Sequence, residues 1–219
     1  MPRNKYPEET VKKILDTSLQ LFIKKGFEQT TVLDIVDNLG GLTRGAFYHH
    51  FKSKEEVLEA IFAMDFAERN PYEKVKQATV SNGRERLKLA LKLGLKTNME
   101  DEQRTAITGM AISLLANPRF LAEQIKRVQG EAEQMAAIME EGMADGSLKK
   151  GNSRLISQLF LLLVSVWMMP TIFAFDKQEM LAKVEFCEQI FTALGYDFID
   201  DELRRLFIDV LNQFGDTPK

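Results

Sequence analysis

Cysteine and histidine are nearly absent from this 219-residue chain, which has one Cys, at position 187, and two His, adjacent at 49 and 50. One thiol excludes an intrachain disulfide framework and any multi-cysteine zinc or iron–sulfur site. Neighbouring histidines point about 100° apart on a helix and do not share a ligand, and no further His, Cys or matched acidic spacing completes a coordination shell. No metal and no cofactor is therefore expected. Nothing brings Cys187 to a histidine as a nucleophile–base pair, and Cys187 falls in an apolar helical pattern like a core thiol. No catalytic residue is assigned, and the chain is not expected to be an enzyme. Sustained strand-like alternation is missing too, so the fold class is all-α. The opening MPRNKYPEET lacks the apolar core of a signal peptide, which makes a cytoplasmic protein the expectation.

What charge there is lies unevenly. The net charge is −3, yet residues 1–54 hold nine Lys/Arg against six Asp/Glu, a local +3, and the remainder 20 against 26, a local −6. A basic end on an acidic body is expected where one part of a protein meets a polyanion.

Helical periodicity organises that basic end. Val11, Ile14, Leu15, Ser18, Leu19 and Phe22 form one stripe that stops at Gly26. Thr31 caps a short helix through Leu39, Gly40-Gly41 breaks it, and Thr43 caps another to His50 or Phe51. A Ser53-x-x-Glu56 capping box opens a helix to Asn70-Pro71. Further helices are expected over about 84–99, 103–115, 118–145, 152–174, 178–194 and 200–214. The domain reading is 1–52 for the three-helix unit and 53–219 for a helical body entered through helix 53–70.

The one long uncharged run, Leu155 to Phe175, has 21 residues and could span a bilayer by length. Ser157, Gln158, Ser165, Thr171 and Pro170 within it, with acidic amphipathic helices following, favour a buried core and subunit-interface helix instead. No membrane association is expected.

Two short helices joined by a glycine turn and preceded by a stabilising helix make a helix-turn-helix, whose second helix enters the major groove. In TRGAFYHHFKSK, residues 43–54, Phe47, Phe51 and Ala46 share the inward side. Gly45, Tyr48 and His49 face out, with Arg44 on the flank. Arg44 suits a bidentate contact to guanine, and Gly45 lets backbone approach the duplex. Thr43, Tyr48, Lys52 and Lys54 supply hydroxyls and positive charge for phosphates. Each of these alone is commonly a surface or capping residue; their coincidence on one face carries the reading. The histidines are best read as polar DNA-facing side chains.

The stretch TTVLDIVDNLGGLTRGAFYHHFKSKEEVLEAI, preceded by LFIKKGF, resembles the TetR family of transcriptional regulators over about 50 residues. The family pattern falls on Gly41, Thr43, Arg44, Gly45, Ala46, Phe47, Tyr48, His50, Phe51 and Lys54; Gly40 departs from it by replacing a common alanine, which would loosen the turn. The resemblance implies phosphate contacts from Thr31, Thr43, Tyr48, His50 and Lys54, with Arg44, Gly45 and His49 nearest the bases.

It also implies a homodimer and a ligand cavity in the body. A helix apolar all round must bury two faces, and which of its rows meets a partner stays open at this level. Leu155, Leu159, Leu163, Phe186, Ile190 and Phe191 are the interface candidates. Met99, Thr108, Met110, Met139, Ser165, Trp167, Met168 and Phe173 are the pocket candidates, with core filling as the alternative for each methionine. The expected function is a repressor that binds a pseudo-palindromic double-stranded DNA operator and is released by a small, largely apolar effector. The alternative is an architectural or cell-cycle DNA-binding protein without an effector.

Overall fold

Residues 7–97, 102–173 and 176–214 are described by the structure, a computed structural model. Helix α1 spans Pro7–Lys25, with Glu8 and Glu9 in its first turn and Lys24 and Lys25 in its last. That distribution opposes the partial charges at each helix end. Ile14, Leu15, Leu19 and Phe22 are buried, as the stripe predicts, and Gly26 ends the helix at a φ of 86°.

Helices α2 (Val32–Asn38) and α3 (Arg44–His50) follow, with Ile35, Leu39 and Phe47 fully buried. Both turn glycines are left-handed, Gly40 at φ 59° and Gly41 at 97°. Alanine at position 40 would be strained there, so the departure from the family pattern answers a backbone requirement.

Helix α4 (Lys54–Arg69) buries Val57, Leu58, Ile61 and Phe62. The chain divides into two units, residues 1–68 and 69–219, so nearly all of α4 goes with the N-terminal unit. The division expected from the capping box at Ser53 lies earlier, at 52/53. The later position has a physical reason: the first residue of α4 is tied to the α1–α2 loop, as described below.

The second unit opens with α5 (Pro71–Val75), a single turn that periodicity did not anticipate. Asn70 caps it, accepting from the N–H groups of Tyr72 and Glu73. Then come α6 (Gly83–Thr97), α7 (Glu102–Leu114) and α8 (Pro118–Ala144). The N–H of Gly83 donates to Asp145 Oδ2 at 2.7 Å and that of Arg84 to Ser147 Oγ at 3.0 Å, so α6 begins against the end of α8.

The uncharged run folds in two pieces. Helix α9 (Ser153–Leu162) continues into a π-helical turn, Leu163–Trp167. There the Met168 N–H bonds Leu163 O, five residues back, at 2.9 Å. The expected helix to 174 therefore stops early, because Pro170 has no N–H to continue it; Ala174 and Phe175 lie outside the described residues. Among the described residues no helix is long and apolar enough to cross a membrane.

Helices α10 (Lys177–Leu194) and α11 (Asp201–Phe214) complete the body. Its main core joins Leu87, Ala90, Met135, Met139, Phe160, Phe191 and Phe198. Phe160 meets the rings of Phe191 and Phe198 at 5.4 and 5.3 Å, near the edge-to-face geometry that aromatic quadrupoles favour. A second cluster holds Met168, Met180, Val184, Cys187 and Leu211. Lys92 lies 3.0 Å from Asp200 and 2.7 Å from Glu202, and Lys96 3.0 Å from Glu202, an ion-pair ladder fixing α6 to the start of α11.

Candidate nucleic-acid interface

Helix α3 exists because its inner face is held. Phe47 is fully buried, Phe51 nearly so, and their rings lie 6.2 Å apart. Thr43 caps the helix, its hydroxyl accepting from the Ala46 N–H at 3.2 Å. With the inner face anchored, Arg44, Gly45, Tyr48 and His49 are exposed and His50 is half-buried. The face read from periodicity is thus the face the structure presents to solvent.

The neighbouring polar residues sort into two groups. Thr43 and Lys52 are exposed, and the Thr43 proton has no acceptor among the described residues. Thr31 and Lys54 have other first duties. The Thr31 hydroxyl accepts from the Asp34 N–H at 3.1 Å and donates to Asp34 Oδ2 at 2.7 Å; the Thr31 N–H donates to the same oxygen at 2.8 Å. Lys25 Nζ lies 2.6 Å from Asp34 Oδ1. The Lys25 ammonium first, and the two Thr31 donors next, hold the Asp34 carboxyl well below the usual carboxylate range. The proton that Thr31 would offer a phosphate is spent inside the cap.

Lys54 is likewise engaged. Its Nζ donates to the carbonyls of Phe27 at 2.8 Å and Glu28 at 3.1 Å and sits 4.5 Å from the Phe27 ring centroid. Two of its three donors therefore pin α4 to the α1–α2 loop. The lysine spacing signalled this residue, but its acceptors are main-chain groups that sequence cannot announce.

The structure brings some of the expected pocket residues together, with Trp167 packed on the cluster that holds Met168, and Lys183 lying over the rings of both Trp167 and Phe173. Met139 is fully buried in the main core, its Sδ 3.4 Å from Ser157 Oγ, and Met168 is buried in the second cluster. Both serve packing, the alternative reading for a methionine. Thr108, Met110, Ser165 and Trp167 are half-buried, Phe173 is exposed, and Met99 lies outside the described residues. A hollow of about 380 Å³ is lined by Trp167, Glu179, Lys183 and Phe186. A larger groove of about 640 Å³ between α10 and α11 has Glu185, Glu188 and Arg204 among its walls. Lys183, buried against Trp167 and donating to its carbonyl at 3.3 Å, carried no sequence signal of its burial.

Of the interface candidates, Leu155, Leu159 and Phe186 are 60, 39 and 53 % exposed. Leu162, in the same helical row as Leu155 and Leu159, is exposed as well, as are Leu181 and Leu194 of α10. Phe191 must be withdrawn, since it is wholly buried against Phe160 and Phe198. Leu163 and Ile190 pack half-buried on their own subunit's core. Of the two rows of this helix, Leu155, Leu159 and Leu162 face outward, and Phe160 and Leu163 face inward.

A capped recognition helix on a glycine turn, braced by two flanking helices and polar on its outer face, defines a helix-turn-helix DNA-binding domain. Residues 14–61 match the family described as bacterial regulatory proteins, tetR family. The match covers 48 residues, about a fifth of this chain. SrpR, a transcriptional regulator of Pseudomonas putida, is 45% identical over 56 residues, 26% of each chain. YerO of Bacillus subtilis is 50% identical over 50 residues, 23% of this chain and 17% of its own. The matched stretch thus spans about a quarter or less of these two relatives.

Among solved structures, a TetR/AcrR-family regulator of Thermobifida fusca is 24% identical with a TM-score of 0.57, covering 92% of this chain and 98% of its own. FadR of Bacillus subtilis in complex with stearoyl-CoA is 18% identical with a TM-score of 0.58, covering 95% and 99%. At these identities the likeness extends the fold, not the ligand, to the body.

Proposed function

We propose that this protein is a cytoplasmic transcriptional repressor that binds a two-fold symmetric DNA operator as a homodimer and is released by a small, largely apolar effector. The observation that carries the reading is the outer face of α3, where Arg44, Gly45, Tyr48 and His49 stand exposed over a buried Phe47. Arg44 reads base edges; Thr43, Tyr48 and His50 reach phosphates, and Lys52 adds charge beside them.

The outward row Leu155, Leu159 and Leu162, with Phe186 of α10, supports the dimer, because an apolar strip of this kind on a folded domain marks a protein–protein surface. Two copies of α3 about 34–36 Å apart would reach successive major grooves. The effector is apolar in this reading. A stearoyl-CoA complex of a neighbour in fold supports an acyl or similarly apolar class. Such a ligand releases DNA only by favouring the non-binding conformation.

Selection of bound duplexes from a random pool tests the reading. Enrichment of one symmetric sequence, with half-sites a helical turn or a multiple apart, is expected. A pool that stays random after repeated rounds would overturn it.

A further inference from the structure

Arg44 differs from Arg84, Arg86 and Arg204 in what holds it. Arg204 is tied up by Glu188, Arg84 by Asp197 and Arg86 by Glu141. Each spends guanidinium donors on a carboxylate. The guanidinium carbon of Arg44 instead lies 5.5 Å from the ring centroid of Tyr48, one helical turn on. Among the described residues no carboxylate is within ion-pairing distance of Arg44. A contact with a ring face uses the cation's charge and leaves its planar fork of five N–H donors unspent.

The ring is itself fixed. Tyr48 meets Phe47 edge to face, with centroids 5.5 Å apart and planes at 89°, and Phe47 is fully buried. A chain of contacts therefore runs from the domain core through Phe47 and Tyr48 to a flexible cation at the surface. Arginine loses much rotamer freedom when it docks, so a surface that restricts it beforehand lowers that cost for the geometry it favours.

We propose that Tyr48 is a positioning residue for Arg44: its ring, independent of its hydroxyl, holds the guanidinium where it reads a base edge, and so sets sequence preference through Arg44. The proposal rests on the DNA-binding reading above. Tyr48 then has two separable parts, a hydroxyl for phosphate and a ring for specificity.

The test uses the full-length protein and the ratio of its affinity for the selected duplex to that for duplexes changed at one half-site base pair. Tyr48→Phe lowers affinity for every duplex alike and keeps the ratio. Tyr48→Leu lowers the ratio about two- to fivefold, the span of an exposed cation–π contact. In an Arg44→Ala background Tyr48→Leu leaves the ratio where Arg44→Ala put it. Tyr48→Trp, with a larger face, keeps the parent ratio and serves if the leucine variant folds poorly. In the free protein, the Arg44 Nε–H order parameter falls in Tyr48→Leu and holds in Tyr48→Phe.

Three results would overturn the proposal alone while the parent still discriminates: an unchanged ratio in Tyr48→Leu, an equal fall in both backgrounds, or an equal fall in Tyr48→Phe. A parent protein that discriminates between no duplexes overturns the DNA reading and this proposal with it.

Discussion

Lys54 reaches back to the carbonyl of Phe27, with Nζ 2.8 Å from that oxygen, and closes the N-terminal domain across 27 residues of chain. This contact changes what a lysine at the start of α4 is for. Lys52 is exposed, and its ammonium has no partner among the described residues.

The two lysines should therefore fail differently. Lys52→Ala should reduce the slope of log affinity against log salt by about one, with the melting temperature unchanged. Lys54→Ala should lower the melting temperature of the N-terminal unit and weaken binding to all duplexes. Its salt slope should change less than that of Lys52→Ala. Affinity titrations at several salt concentrations, with thermal melts alongside, separate them; equal slope changes without a stability loss would return Lys54 to a simple phosphate contact.

Two glycines of the body should respond with opposite signs. A Cβ on Gly83 would fall 2.2 Å from the Gly142 nitrogen, a backbone atom that cannot yield, whereas one on Gly130 in α8 meets nothing within 4 Å. Gly83→Ala should cost about 3 kcal/mol or more through overpacking. Gly130→Ala should stabilise by about 0.4–1 kcal/mol, through helix propensity and a less flexible unfolded chain. Denaturant unfolding measures both.

The contribution of Glu131 to the stability of the body should fall as pH rises from about 4.5 to about 7. Burial pushes the Glu131 carboxyl up from 4.5 to about 7, with Arg127 opposing the shift. A carboxyl that binds its proton more tightly folded than unfolded favours the fold at low pH. Its contribution declines from about pH 4.5 and is lost above about pH 7. The span is at most about 3 kcal/mol by the energy of a pKa shift. Glu131→Gln should flatten this dependence in unfolding curves at pH 5 and pH 8. An unchanged slope would remove Glu131 as its source.

Charge on the outward row should separate the proposed dimer. Leu159 and Phe186 are both exposed, so Leu159→Glu with Phe186→Glu should leave helix content intact and yield a monomer by sedimentation. A folded double variant that remains dimeric would move the interface elsewhere.

Much of the recognition domain was legible in the sequence because its signals are local. Caps at Thr31 and Thr43, a glycine turn and the Phe47–Phe51 spacing each act within a few residues. The body was less legible where outcomes depend on distant groups. Periodicity gave α9 two equivalent rows, and only packing against Phe191 and Phe198 chose Phe160 as the inward member. Pro170 hinted at an early end to that helix, but the π-helical turn before it left no signal in the pattern. The methionines followed the same rule, since the pattern could not say whether Met139 would line a hollow or fill the core.

The most direct test is methylation interference on the selected duplex. Methylating guanine N7 blocks the major-groove edge that an arginine fork would read. The account predicts that modified guanines in each half-site are excluded from complexes with the parent protein and tolerated by Arg44→Ala. An identical interference pattern for both proteins, or none in the major groove, would contradict it.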